Sequence, residues 1–230
     1  MANSRNHLLA SLTNGDFDLL EPHLKSVPLK LRKDIERPNR RIEAIYFPES
    51  GIVSVVAVQS KGSQVEVGLV GREGMTGLPV VLGDDRSPHS TYVQAAGEAH
   101  CVPSLEFAGV MNASRSLRDL LLKYVQAFGV QTAHTAICNA QSKLDQRLAR
   151  WLLMAQDRLS SDELPLTHEF LSVMLGVRRA GVTEALHALR TLKLITSGRG
   201  QITIRDRKGL ERVAGQAYGI PETEYQRLLG

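Results

Sequence analysis

The sequence predicts an α+β chain with three parts: a β-rich amino-terminal half closing as a small sandwich or barrel, one long helix, and a carboxy-terminal winged helix-turn-helix. Three observations carry this. Short runs rich in β-branched residues alternate with turn signals from residue 27 to about residue 109. From Ser116 to Gln141 apolar residues step by three and four with no Pro in the run. Residues 166–204 then set out a short apolar helix, a Gly turn, a second amphipathic helix and an alternating strand.

Residues 1 to about 26 read as one or two capping helices, with Leu8, Leu9, Leu12, Leu19 and Leu20 as their apolar positions. Strands are expected over 42–47, 52–58, 65–70, 92–96 and 100–103. Turn signals separate them at Pro48-Glu49-Ser50-Gly51, Lys61-Gly62-Ser63 and Gly83-Asp84-Asp85. Many short strands at even spacing argue for a sandwich or barrel. Gly68, Gly71 and Gly74 match neither GxGxxG nor a Walker loop, so they read as turn formers.

In the long helix, Leu117, Leu121, Tyr124, Phe128, Gln131, Thr135 and Cys138 step by four and three, a heptad seam. A core helix packed on its own sandwich fits the spacing. A helix that also packs on its twin in a dimer fits it better, because the run is long. Cys138 reads as a small buried seam residue, with a redox-sensing role as the alternative. A second helix over 144–156 turns Leu148, Trp151, Leu152 and Ala155 inward.

Thr167 is a natural cap for the next helix, in which Phe170, Leu171, Met174 and Leu175 share a face. Gly176 breaks it. A helix over 178–192 follows, with Val182, Leu186 and Leu189 as its apolar stripe. Ser197-Gly198-Arg199-Gly200 and the strand 201–204 complete a wing. In a helix-turn-helix the second helix enters the major groove with its first turn against base edges. Arg178 and Arg179 occupy that turn and suit guanine O6 and N7. Thr183 and Glu184 lie one turn on, and Glu184 suits either a cytosine amino group or pairing with His187 or Arg179. Thr167 and His168 stand at a helix amino terminus, where a phosphate is favoured. Arg199 at the wing tip is expected to meet a phosphate.

The 230 residues, 43% hydrophobic, suffice for one large domain or two ordinary ones. No run is apolar enough to span a bilayer, and the start lacks the core of a signal peptide, so a cytoplasmic location is expected. The two cysteines form no CxxC, leaving no ligand set for zinc or an iron–sulfur cluster. No catalytic signature appears at a useful spacing, and an enzyme is not expected. The net charge of +4 is concentrated: residues 1–141 carry 14 Lys and Arg against 14 Asp and Glu, whereas residues 142–230 carry 14 against 10. The excess sits where phosphates would be met.

Leu166-Thr167-His168-Glu169, Gly176-Val177-Arg178-Arg179, Val182, Leu186, Leu189 and Leu194-Ile195, together with YFPESGIVS (46–54) and VEVGLVGREGMTGLPVVLG (65–83), give the chain its resemblance to the family of the cyclic-AMP receptor protein and Fnr. The resemblance spans roughly residues 8–215. It implies a double-stranded β-helix, a β-roll or jelly-roll of cyclic-nucleotide-binding type, over 1–115. A dimerisation helix over 116–141 and a winged DNA-binding domain over 142–230 follow. It further implies a homodimeric transcription regulator with double-stranded DNA and RNA polymerase as partners, no membrane, and an effector at the β-roll. The matching pocket would take Glu73, Gly74, Met75, His89, Ser90, Thr91 and, from the long helix, Thr132. His89 falls where cyclic-AMP-binding relatives place an Arg on the cyclic phosphate, and a largely neutral imidazole is a poor substitute. The effector is therefore expected to be a small molecule other than cyclic AMP, with no fixed cofactor. In the recognition helix Arg179 matches the family's first Arg, but Ala180 and Glu184 replace its Glu and second Arg, so a different DNA target is implied. A regulatory module whose winged domain binds protein is the alternative.

Overall fold

The computed structural model describes residues 4–58, 64–198 and 200–230; the Lys61-Gly62-Ser63 turn and Arg199 lie outside the described residues. Two short helices, α1 (His7–Ala10) and α2 (Asn14–Leu20), open the chain. Asn6 caps α1: its side-chain oxygen accepts from the Leu8 and Leu9 amides at 3.1 and 3.2 Å. Its amide nitrogen donates to the Pro48 and Gly74 carbonyls at 2.9 and 2.8 Å. One buried side chain thus caps a helix and fastens it to the sheets. Leu8, Leu9, Leu12 and Leu20 are buried as expected, whereas Leu19 is 44% exposed, on the outer face of α2.

Seven strands follow: β1 (Lys25–Leu29), β2 (Asp34–Glu36), β3 (Ala44–Pro48), β4 (Ile52–Val58), β5 (Gln64–Val70), β6 (Ser90–Ala95) and β7 (Gly97–Pro103). They form two antiparallel sheets, ordered β1-β7-β3 and β2-β6-β4-β5. The five expected strands are present. The two unexpected ones, β1 and β2, are edge strands; Pro28 in β1 cannot serve a central ladder and hides the strand from a propensity reading. Short α3 (Leu78–Val81) sits between β5 and β6. Helix begins earlier than the β-rich reading allowed, at α4 (Ser104–Ala113), whose Phe107, Val110 and Met111 are buried at helical spacing.

The long helix α5 (Arg115–Gln141) has Ser114 as its cap, the hydroxyl accepting from the Leu117 amide at 3.1 Å. Its heptad seam is turned inward. Leu117, Leu121 and Tyr124 join the core of the amino-terminal half. Gln131 grips β5, accepting from the Leu69 amide at 2.7 Å and donating to its carbonyl at 3.3 Å. The Thr135 hydroxyl accepts from Arg150 at 3.1 Å. Cys138 is buried beside the Ala217 carbonyl. Phe128 is half-buried against the sheet core. Within the protomer the stripe packs on its own sheets, because a sheet on one side demands apolar positions at the same spacing as a coiled-coil partner.

Gly71 and Gly74 bracket a turn, the Gly74 amide donating to the Gly71 carbonyl at 3.0 Å, whereas the turn reading is corrected for Gly68, which lies inside β5. None of the three has a positive φ. Each makes room for a helix side chain: a Cβ on Gly68 would meet the Phe128 ring at 2.5 Å, one on Gly71 the Arg158 stem at 2.6 Å, and one on Gly74 the Tyr124 ring. Their three-residue spacing lets the end of β5 and the turn after it lie close against the helices.

The rest is α6 (Leu144–Leu159), β8 (Glu163–Leu164), α7 (His168–Leu175), α8 (Arg179–Thr191), β9 (Ile195–Gly198), β10 (Gln201–Ile204), α9 (Arg207–Ala214) and α10 (Ile220–Leu229). Strands β8, β10 and β9 form a small antiparallel sheet. One core cluster unites Leu148, Leu152, Leu171, Val182 and Leu189 with Ile52, Leu69 and Ala95 of the β-sheets. The carboxy-terminal helices are thus packed onto the sheet region through a shared apolar core. Helix α10, unforeseen, returns to α5 and packs Tyr225 and Leu229 on the amino-terminal core.

Candidate nucleic-acid interface

Helix α7 starts at Thr167, whose hydroxyl accepts from the Phe170 amide at 3.2 Å, and ends at Gly176 in the left-handed region at φ 61°. Leu171, Met174 and Leu175 are buried and Phe170 is half-buried. A guanidinium nitrogen of Arg147 donates to the Leu175 carbonyl, satisfying an end group of α7. The turn is therefore fixed from both sides. Arg178 has extended backbone at the cap of α8, and Arg179 is its first residue.

Helix α8 divides cleanly. Val182, Ala185, Leu186 and Leu189 are buried, while Arg178, Arg179, Thr183, Glu184 and His187 are exposed on the other side. Thr183 links the two helices. Its hydroxyl donates to the Arg179 carbonyl and lies 3.1 Å from His168 Nδ1. A hydroxyl has one hydrogen, so His168 is the donor in that contact and carries its proton on Nδ1. His168 of α7 and Thr183 of α8 are thereby brought into contact, and Arg178, Arg179, Thr183 and Glu184 share the exposed side of α8. The wing strands β9 and β10 pair antiparallel from Ile195↔Ile204 to Gly198↔Gln201.

The seven residues expected around one effector pocket are not gathered. Met75 is fully buried in the amino-terminal core and Gly74 lies under Tyr124. Thr91 is buried, its hydroxyl donating to Glu36 at 3.0 Å; Glu36 also accepts from the Gly77 amide at 2.7 Å, and burial raises its carboxyl above the usual range. Ser90 begins β6 opposite Val56. The His89 amide donates to Ser87 in the preceding loop at 3.1 Å. The Thr132 hydroxyl is spent on the Phe128 carbonyl at 3.1 Å. Glu73 alone of the seven lines a cavity of about 500 Å³ between the sheets and the carboxy-terminal helices. Among the described residues no group of three or more His, Cys, Asp and Glu is placed to hold a metal. No helix there is long and apolar enough to cross a membrane.

A polar cluster missed by the sequence reading joins the two halves. Glu66 of β5 is buried; it accepts from Trp151 Nε1 and from the Ser54 hydroxyl, both at 2.6 Å. Desolvation pushes its carboxyl up to about 7, against the pull of these two donors and of Arg158 and Arg150. An isolated Glu in an alternating strand gives no sign that its face will be covered by another part of the chain.

The antiparallel β-sandwich with a winged helix-turn-helix packed on it has the architecture of a sensor fold joined to a DNA-binding domain. Residues 146–213 match the Crp-like helix-turn-helix domain. The transcriptional regulator SdrP of Thermus thermophilus is 29% identical over 171 residues, covering 71% of this chain and 80% of that protein. The global nitrogen regulator of Nostoc is 24% identical over 190 residues, covering 78% and 85%. Among solved structures, a Crp/Fnr-family regulator of Eubacterium rectale superposes with a TM-score of 0.72 at 20% identity, covering 92% of this chain and 99% of that one. FixK2 of Bradyrhizobium japonicum gives 0.68 at 16% identity, covering 83% and 96%. Residues 146–213 are thus a Crp-like helix-turn-helix domain, and the chain shares the fold of Crp/Fnr-family regulators, with a cyclic-nucleotide-binding-like fold before its helix-turn-helix.

Proposed function

We propose that two copies of the chain bind a pseudo-palindromic DNA site in a sequence-specific manner, with Arg178 and Arg179 at base edges and Thr167 and His168 near phosphate. The observation that carries this is the division of α8, whose polar face is open at its amino-terminal turn while its apolar face is buried. Thr183 and Glu184 line the next turn of the same face. The wing, with Arg199, is assigned to the flanking phosphates.

The two-fold contact is assigned to the outer face of α5. Leu122, Gly129, Ala133, Ala136 and Ala140 keep heptad spacing there and are exposed, with Ile137 beside them at 53% exposure. Small residues on that stripe let two helix backbones approach closely. The dimer acts in the cytoplasm, contacts RNA polymerase, and responds to an effector other than cyclic AMP. His89 supports the last point, since no guanidinium stands at its position.

The test is a selection from random duplexes followed by gel-shift titration at several salt concentrations. Half-sites about 34 Å apart and a steep fall in affinity with salt are expected. A salt-independent shift, or no enriched sequence, refutes the assignment.

A further inference from the structure

The cavity of about 500 Å³ has walls from both halves of the chain. Arg72 and Glu73 follow β5, Tyr124 and Phe128 belong to α5, and Tyr218 and Tyr225 come from the carboxy-terminal segment. Three of the chain's five tyrosines are here, so the walls are unusually aromatic for a chain with 5% aromatic residues.

Most polar groups on these walls already have partners. The Glu73 carboxylate meets Arg158 Nε at 2.8 Å. Tyr225 Oη donates to the Glu73 carbonyl at 2.6 Å. Tyr218 Oη donates to Asp157 at 2.7 Å, and Asp157 also pairs with Arg207 at 2.9 Å. Arg72 differs. Its Nε is buried and meets no acceptor among the described residues, and no carboxylate there lies within ion-pair distance of it. The neighbouring His7 is held below its ordinary value, first by burial and then by the Arg72 charge, so it adds no compensating group. A buried guanidinium N–H without a partner is costly, and a carboxylate matches its fork. Aromatic faces accept a flat apolar body, and the volume suits a small organic ligand.

We infer that this cavity binds a small aromatic carboxylate, with the carboxylate on Arg72 and the ring between Phe128, Tyr218 and Tyr225. The inference rests on reading the chain as an effector-controlled regulator. It places the effector at the junction of the two halves and not inside the β-sheets. A ligand there would favour the arrangement in which α6 and α10 stay against β5 and α5, by as much as its affinity differs between that arrangement and others.

The experiment is calorimetric titration of the full chain with 2-naphthoate and with 2-naphthamide, which has the same ring and no charge. One saturable naphthoate site per chain is expected, with the amide bound about tenfold more weakly. Arg72→Gln should weaken naphthoate about tenfold, leave the amide unchanged and preserve the circular dichroism spectrum. His89→Ala should change neither. The inference is overturned by no saturable naphthoate binding at millimolar concentration, by equal affinities for acid and amide, or by full-strength binding to Arg72→Gln. Should that variant misfold, Thr223→Trp at the exposed rim is expected to block the site, and undiminished naphthoate binding by it overturns the inference too. Gel shifts on the same preparation keep the two readings apart. Lost DNA binding with intact naphthoate binding sinks the regulator function alone; the reverse sinks the cavity alone.

Discussion

The Trp151 indole donates to the buried Glu66 carboxylate at 2.6 Å, tying the first helix of the carboxy-terminal half to the second strand of the β4–β5 pair. Trp151 is the only tryptophan in the chain. Ser54 approaches Glu66 from β4, and Met174 of α7 lies 3.8 Å from the same hydroxyl. The helix that opens the helix-turn-helix therefore touches the serine that hydrogen-bonds this buried carboxylate.

The raised carboxyl of Glu66 makes stability depend on pH. Its folded value is about 7, against 4.5 for an ordinary Glu. Between these values the folded chain holds a proton that the unfolded chain has released, so the Glu66 contribution falls as pH rises through the interval. The full difference is on the order of 3 kcal/mol. Urea unfolding followed by Trp151 fluorescence should show lower stability at pH 8 than at pH 5. Glu66→Gln should flatten that slope and be the more stable protein at pH 8; an unaltered slope in the variant assigns the dependence elsewhere.

Arg179→Ala should relax base preference at one position in each half-site and weaken specific binding by about 1–3 kcal/mol. Unfolding temperature should not change, because Arg179 is exposed. Sequence logos from selected duplexes read this directly, and an unchanged logo removes Arg179 from the base contacts.

Ala133→Glu places a charge on the outer stripe of α5, where it has no internal contact to break. Sedimentation equilibrium should report a dimer for the parent chain and a monomer for the variant, with matching helix content. A parent chain that sediments as a monomer, or a variant that stays dimeric, moves the two-fold contact away from this face.

Gly68→Ala puts a methyl group into the Phe128 ring. Overpacking of this kind costs about 1–3 kcal/mol. Phe128→Leu should recover part of the loss, giving a coupling in a double-mutant cycle. Additive losses would mean that the ring moves aside freely.

What the sequence made legible is what local chemistry controls. Thr167, Gly176 and the Val182, Leu186, Leu189 stripe predicted α7, the turn and α8, because caps, left-handed glycines and helical periods are written within a few residues. The long helix was legible for the same reason. Its partner was not: a seven-residue period says that one face is covered and is silent on whether a sheet or a second helix covers it. Pro28 obscured β1, since an edge strand tolerates a residue that a central one excludes. The dispersal of Thr91 and Glu73 follows from distant pairings, with Glu36 and Arg158, that no local pattern records. Gly219, Pro221 and Glu222 are a serviceable helix start for α10, yet its docking on α5 depends on side chains about a hundred positions earlier.

The shared apolar cluster running from Ile52 and Leu69 to Leu171 and Leu189 bears on how the molecule is dissected. Severing the chain between α5 and α6 would leave each fragment with a raw hydrophobic face. The winged fragment would also lose the strand against which Trp151 is anchored. Fragments made for spectroscopy would clump, whereas the intact polypeptide should melt in a single transition, its reader and its sheets failing together.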